Sequence, residues 1–169
     1  MTMHDGAPFS NLVLWGLAAT ILMDIILESA QGLGFSRMSL PFLFGTFITG
    51  NRSRAMVAGF FLYLIGGWIF ALLYFLFFQS VGIYSWWFGM AVGGVHGVFL
   101  LGTMLPLMPY IHPRMASEYH GATARRQLEP PGFFATNYGY ATPVWTMLAQ
   151  IVYGGALGAF AQYHLAAFG

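Results

Sequence analysis

The sequence predicts an all-α membrane protein, a four-transmembrane-helix bundle, and three observations carry that prediction. Of the 169 residues, 58% are hydrophobic and only 7% are charged, where soluble domains carry about 25% charged residues. Mean hydropathy is +0.68. Four apolar segments, residues 11–33, 55–79, 85–110 and 142–166, each reach the roughly 20 residues that a helix needs to cross a hydrocarbon core. At this length a single integral membrane domain, residues 1–169, is expected.

The same composition removes whole classes of chemistry. There is no cysteine, hence no disulfide, thiolate nucleophile, zinc–thiolate site or iron–sulfur cluster. All six basic residues are arginine, which excludes a Schiff-base or phosphate-loop lysine. A net charge of +1 with no basic stripe argues against a nucleic-acid partner. The start of the chain has no basic n-region and no small-x-small cleavage site after the first apolar run, so that run is expected to be a retained span.

The first span carries two acids, in "TILMDIILESAQ" (20–31). Thr20, Asp24, Glu28 and Gln31 are spaced four, four and three apart, which puts them on one helical face. An acid at mid-helix costs about 2.5–3.5 kcal/mol on insertion, and each Leu, Ile or Val returns only about 0.3–0.6 kcal/mol. The acidic face is therefore expected to turn inward. With a rise of about 1.5 Å per residue, Asp24 in span one, Tyr63 in span two, His96 in span three and Gln150 in span four reach similar depths. Together with Glu28 they form the candidate site, an intramembrane polar cluster. Glu28 falls lower, level with Thr103, Thr146 and the Gly102 carbonyl that Pro106 leaves without a donor.

No arginine lies at the depth of Asp24, which leaves His96 or water to stabilise a charge there. Arg37 is close enough to Glu28 to be its ion-pair partner. His96, in "GGVHG", has three expected roles: a hydrogen-bonded core histidine, a partner for Asp24, or an axial ligand to a haem or chlorophyll with glycine-lined space beside it. The last has the least support, since no second histidine shares that depth. Gly89, Gly93 and Gly97 in span three and Gly154 and Gly158 in span four recur every fourth residue, the pattern of helices whose backbones approach closely.

The link between spans two and three is tight, "SVGIY". The other two, residues 34–54 and 111–141, contain every arginine: Arg37, Arg52 and Arg54, then Arg114, Arg125 and Arg126. Arginine bias predicts both of these loops to be cytoplasmic and both termini outside. Trp15, Tyr84, Trp86 and Trp87 are expected in an outer aromatic belt, with Tyr110 and Trp145 near the inner interface. "SLPFLFGTFITGN" in the first loop is too short to span and reads as an interfacial or re-entrant piece. The second loop is proline-rich, and its aromatics Phe133, Phe134, Tyr138 and Tyr140 favour a docked conformation. His112, Glu118 and His120 are metal-ligand types, but their spacing matches no standard site, and no metal is expected.

An internal repeat relates the halves: "GLAATILMD" (16–24) to "GMAVGGVHG" (89–97), and "YLIGGWIFALLY" to "IVYGGALGAFAQY". Two duplicated helical hairpins explain it, and so does the shared composition of glycine-rich membrane helices. "GLAATILMDIILE", "MSLPFLFGT" and "VHGVFLLGTMLPLMPYIHPRMASE" followed by "LEPPGFFATNYG" resemble a family of small bacterial four-helix integral membrane proteins. That resemblance implies the fold and a multi-pass place in a bacterial inner membrane, and no chemistry.

Three functions follow as expectations. The first is a non-catalytic accessory subunit that packs against a larger, energy-transducing membrane complex, with other membrane subunits or a second copy as partner beside the lipid bilayer. The second is a small oligomeric transporter or proton/ion conduit using Asp24, Glu28 and His96. The third is a haem- or pigment-binding membrane protein.

Overall fold

The computed structural model describes residues 7–117 and 121–164. Among these residues the regular structure is helical, apart from one isolated bridge between Met115 and Leu128. The α-helices in chain order are α1 (Ala7–Gly32), α2 (Leu40–Ile48), α3 (Arg52–Val81), α4 (Trp86–Phe99), α5 (Leu105–Ile111) and α6 (Thr142–His164). A π-helical turn, Leu100–Met104, joins α4 to α5. Four helical segments are long and apolar enough to cross a membrane: Asn11–Gly32, Arg52–Val81, Trp86–Ile111 and Thr142–Tyr163.

The second of these starts earlier than hydropathy alone suggests because Asn51 caps it, accepting from the Arg54 N–H at 3.1 Å. It ends at Gly82, whose φ of 72° is the left-handed conformation glycine adopts without strain. The expected end of the fourth span, residues 165–166, lies outside the described residues. The third passes Pro106 by widening one turn, so that the Leu105 N–H reaches back to the Leu100 carbonyl. That turn leaves Gly102 and Thr103 exposed. Both share the depth of Glu28 by the rise per residue, but they face away from the core.

α1 and α6 pack against each other at the centre, α3 packs on α1, and α4 packs on α6. α3 and α4 are joined by a tight link, yet make no extensive backbone contact. The half of their gap nearest the arginines is filled by α2. A Cβ on Gly45 would lie 1.7 Å from the Ala55 carbonyl oxygen, and one on Gly59 1.7 Å from that of Pro41. The two backbones therefore touch, which only glycine at both positions permits. On its other side α2 is tied to the end of α5. His112 Nε2 lies 3.2 Å from both the Leu43 carbonyl and Thr46 Oγ1, and the Arg114 guanidinium donates to the Thr46 and Phe47 carbonyls. The short apolar piece of the first loop is thus a half-length helix folded back along α3.

The second long loop folds across the arginine end. Its 3-10 turn, Phe133–Tyr138, accepts the Arg37 N–H on the Tyr138 carbonyl at 2.7 Å, and the Tyr138 hydroxyl donates to the Glu129 carbonyl at 2.7 Å. Phe134 and Ala135 hold φ of 51° and 60°, left-handed values that cost free energy and persist only when neighbours fix them. Asn137 does so, donating to the Pro130 and Pro131 carbonyls. Phe134 and Tyr138 pack against the core, whereas Phe133 and Tyr140 are 80% and 94% exposed. Only two of the four aromatics expected to dock do so.

Candidate functional site: an intramembrane polar cluster

Glycine contacts set the helix registers that build the cluster. A Cβ on Gly67 of α3 would lie 2.1 Å from Thr20 Oγ1 of α1. One turn along each antiparallel helix from that contact brings Asp24 to the level of Tyr63. On α6 the matching level is Gln150–Tyr153, fixed by Trp15 stacked on Phe160 at 5.3 Å and by Ser36 Oγ 2.9 Å from Thr142 Oγ1. A Cβ on Gly93 would lie 2.2 Å from the Gln150 carbonyl oxygen, which brings α4 and His96 to the same height.

The groups at this height fall into two sets. The Tyr153 hydroxyl donates to the Gly67 carbonyl at 2.7 Å in a buried bond. Tyr74 packs edge-on to Tyr153, with ring centroids 5.6 Å apart, and its hydroxyl lies 3.2 Å from His96 Nδ1. Phe70 lies against the imidazole at 4.2 Å. These groups are bonded, apart from His96 Nε2. The second set is not: Asp24 Oδ1, Tyr63 OH, Gln150 Oε1 and Thr146 Oγ1 are buried without a hydrogen-bond partner. Tyr63, Gln150 and His96 line a cavity of about 70 Å³ closed by Met23, Leu40 and Phe44, room for a water or two.

His96 is therefore a hydrogen-bonded histidine whose partner is Tyr74, and it makes no bond to Asp24. The space freed by Gly93 and Gly97 is taken by Gln150 and Met147 of α6, while Gly94 meets only Ile151, at 3.9 Å. Glu28 also has partners other than the one expected. Its Oε1 accepts from Gln31 Nε2 at 3.2 Å and from Ser39 Oγ at 3.4 Å. Ser39 is the N-cap of α2, so the carboxylate sits where the helix dipole favours negative charge. The chain doubles back over residues 33–39 and carries Arg37 past Glu28 to Glu129, which it meets at 3.1 Å.

Tyr74, Tyr153 and Phe70 were not legible as members of the cluster. A signal existed: Tyr74 follows Tyr63 by eleven residues, three helical turns, on the same face. Among titratable loop residues, His112 binds no metal ligand set. Its Nδ1 accepts the Arg114 N–H at 3.1 Å while Nε2 faces Leu43 and Thr46. Glu118 and His120 lie outside the described residues. Among the described residues no three of His, Cys, Asp and Glu are grouped to hold a metal ion.

Along the bundle axis the cluster is closed toward one end. Toward the arginine end it continues to the exposed Glu28 and to Gln31. Toward the other end Thr20 Oγ1 is bonded into its own helix at Gly16 (2.7 Å), and Leu12, Ala19 and Leu157 close the core. The arrangement can take up a proton or a small polar group from the arginine end.

No family model, curated protein or solved structure matches the chain.

Proposed function

We propose that this chain is a non-catalytic subunit of a larger membrane assembly, and that it receives a transmembrane segment of its partner between α3 and α4. One observation carries the reading. α2 fills only half of the α3–α4 gap, and the other half is an open groove of about 350 Å³ walled by Leu73, Phe77, Val92, Val95 and Phe99, with Tyr74 and His96 in its lining. His96 Nδ1 is engaged by Tyr74, and Nε2 has no partner among the described residues. Hydrocarbon chains cannot satisfy that nitrogen, whereas a helix bearing a polar side chain can. The absence of cysteine makes the test clean: Val95→Cys, at a position 72% exposed, is a unique site for cross-linking in native membranes. A discrete protein adduct is expected there. Labelling by bulk lipid probes alone would remove the proposal.

Orientation and location belong to the same reading. The arginines gather at one end of the bundle, which supports cytoplasmic loops, termini outside and residence in a bacterial inner membrane. The helix pairing supports a duplicated hairpin: Thr20 meets Gly67 and Gly93 meets Gly154, contacts that the repeat superposes to within one residue.

A second reading, proton or cation handling, is favoured by the unpaired Asp24, Tyr63 and Gln150 atoms. Four helices rarely enclose a path alone, so an oligomer or a partner is needed to complete one. Asp24→Asn is expected to abolish flux in proteoliposomes that retain the native assembly; unchanged flux removes Asp24 from that role.

A further inference from the structure

At the arginine end, outside the polar cluster and the α3–α4 groove, a cavity of about 500 Å³ opens between α2, Arg114 and residues 124–128. Two backbone bonds frame it, Ala116 N–H to the Leu128 carbonyl and Leu128 N–H to the Arg114 carbonyl, each 3.0 Å. A turn closed by the Thr123 N–H on the Arg126 carbonyl (3.1 Å), and by the Arg126 N–H on Thr123 Oγ1 (3.0 Å), holds Arg125 at the rim. Arg114 and Gln127 also line the cavity, and Phe42 and Leu128 supply an apolar wall. The Arg52 guanidinium stands over the Phe42 ring at 5.9 Å.

Charge is unbalanced here. Arg37 takes Glu129, which leaves Arg52, Arg54, Arg114, Arg125 and Arg126 with no carboxylate partner among the described residues. Arg114 is occupied with the carbonyls that end α2. Arg125 is exposed and its guanidinium has no protein acceptor among the described residues.

We infer that this cavity binds a phosphate-bearing ligand, with Arg125 as the pairing group and Arg114 as the fixed charge behind it. A guanidinium presents paired N–H donors that match two phosphate oxygens. The cavity lies where the spanning helices end, at the depth of lipid headgroups, and basic pockets at such positions recognise anionic headgroups. Its volume falls within the roughly 300–1,000 Å³ of ligand sites. The apolar wall of Phe42 and Leu128 suits the glycerol and acyl stem of a phospholipid, and a free phosphate has no use for it.

The test is native mass spectrometry of the full chain in detergent, titrated separately with phosphatidylglycerol and with inorganic phosphate. Discrete phosphatidylglycerol binding is expected, weakened about tenfold in Arg125→Gln and unchanged in Arg54→Gln, a charge-matched control outside the cavity. Binding of phosphatidylglycerol alone identifies a lipid site, and equal Arg125 dependence for inorganic phosphate identifies a site for the free anion. The inference is overturned if neither ligand binds, or if the two variants behave alike, since surface charge would then explain any binding.

Discussion

The α4–α6 seam and the α1–α3 seam are both antiparallel, and both have glycine at the crossing. In the first, glycine faces glycine: a Cβ on Gly89 would lie 2.2 Å from the Gly154 oxygen, and a Cβ on Gly154 2.2 Å from the Gly89 oxygen. In the second, Gly67 faces the hydroxyl-bearing Thr20, and one turn further along the helices meet at Asp24 and Tyr63 with polar atoms unpaired. Where helices cannot be driven together by water, close backbone contact supplies the attraction. The glycine-on-glycine seam can thus hold the bundle while the Thr20–Gly67 seam is left incomplete. The first is a fastening, the second a candidate site.

The comparison predicts a steep order of effects. Gly154→Ala is expected to be worst, because its new methyl would collide with backbone that cannot give; a loss of about 3 kcal/mol or more is expected in thermal unfolding in detergent. Gly66→Ala is the control, with open space at its Cβ, and is expected to stay within about 0.5 kcal/mol. Comparable losses in both would mean that helix crossings are not what glycine serves here. Tyr153→Phe removes a buried bond to the Gly67 carbonyl and is expected to cost about 1–2 kcal/mol in the same assay. Asp24→Asn is expected to change stability by less than about 0.5 kcal/mol, since Oδ1 has no partner to lose. A loss above 2 kcal/mol would make Asp24 structural and merge the two seams into one kind.

The smallest effect concerns pH, at the junction of α2 with α5. Burial, with the nearby Arg114 charge adding, lowers the His112 pKa below its ordinary 6.5, and the bond to the Leu43 carbonyl opposes this in part. The folded state therefore resists taking a proton that the unfolded chain accepts near 6.5. Stability is full above that value and declines as pH falls from 6.5 toward the lowered pKa. The protection factors of the α2 amides, measured against intrinsic exchange, are expected to fall over that window, and His112→Gln to flatten the dependence. No change in the wild type would mean that the imidazole does not hold the junction.

The spans were legible because hydrophobic length is a property of each segment by itself. The shared depth of Asp24, Tyr63, His96 and Gln150 was legible for a similar reason, since rise per residue fixes height. Partners were not. His96 pairs with Tyr74 because α3 and α4 are bridged by side chains there, and Glu28 meets Ser39 because residues 33–39 double back; both depend on rotation and chain reversal, which height does not encode. Gly59 lies on a four-residue stripe with Ala55, Gly67 and Ala71, but Gly45 is the single glycine of its short helix, so no repeated pattern paired the two backbones that seat α2.

The seating of α2 also bears on how the protein is made. On the side away from α3, its contacts come from His112 and Arg114, residues that leave the ribosome only after the third span. A nine-residue helix cannot cross the bilayer by itself. During synthesis α2 is therefore expected to wait beside α3, half fastened, until the chain returns through α5 and locks it from behind. Arrest of translation before residue 112 should leave that helix open to protease from the arginine side, and release past residue 114 should close it.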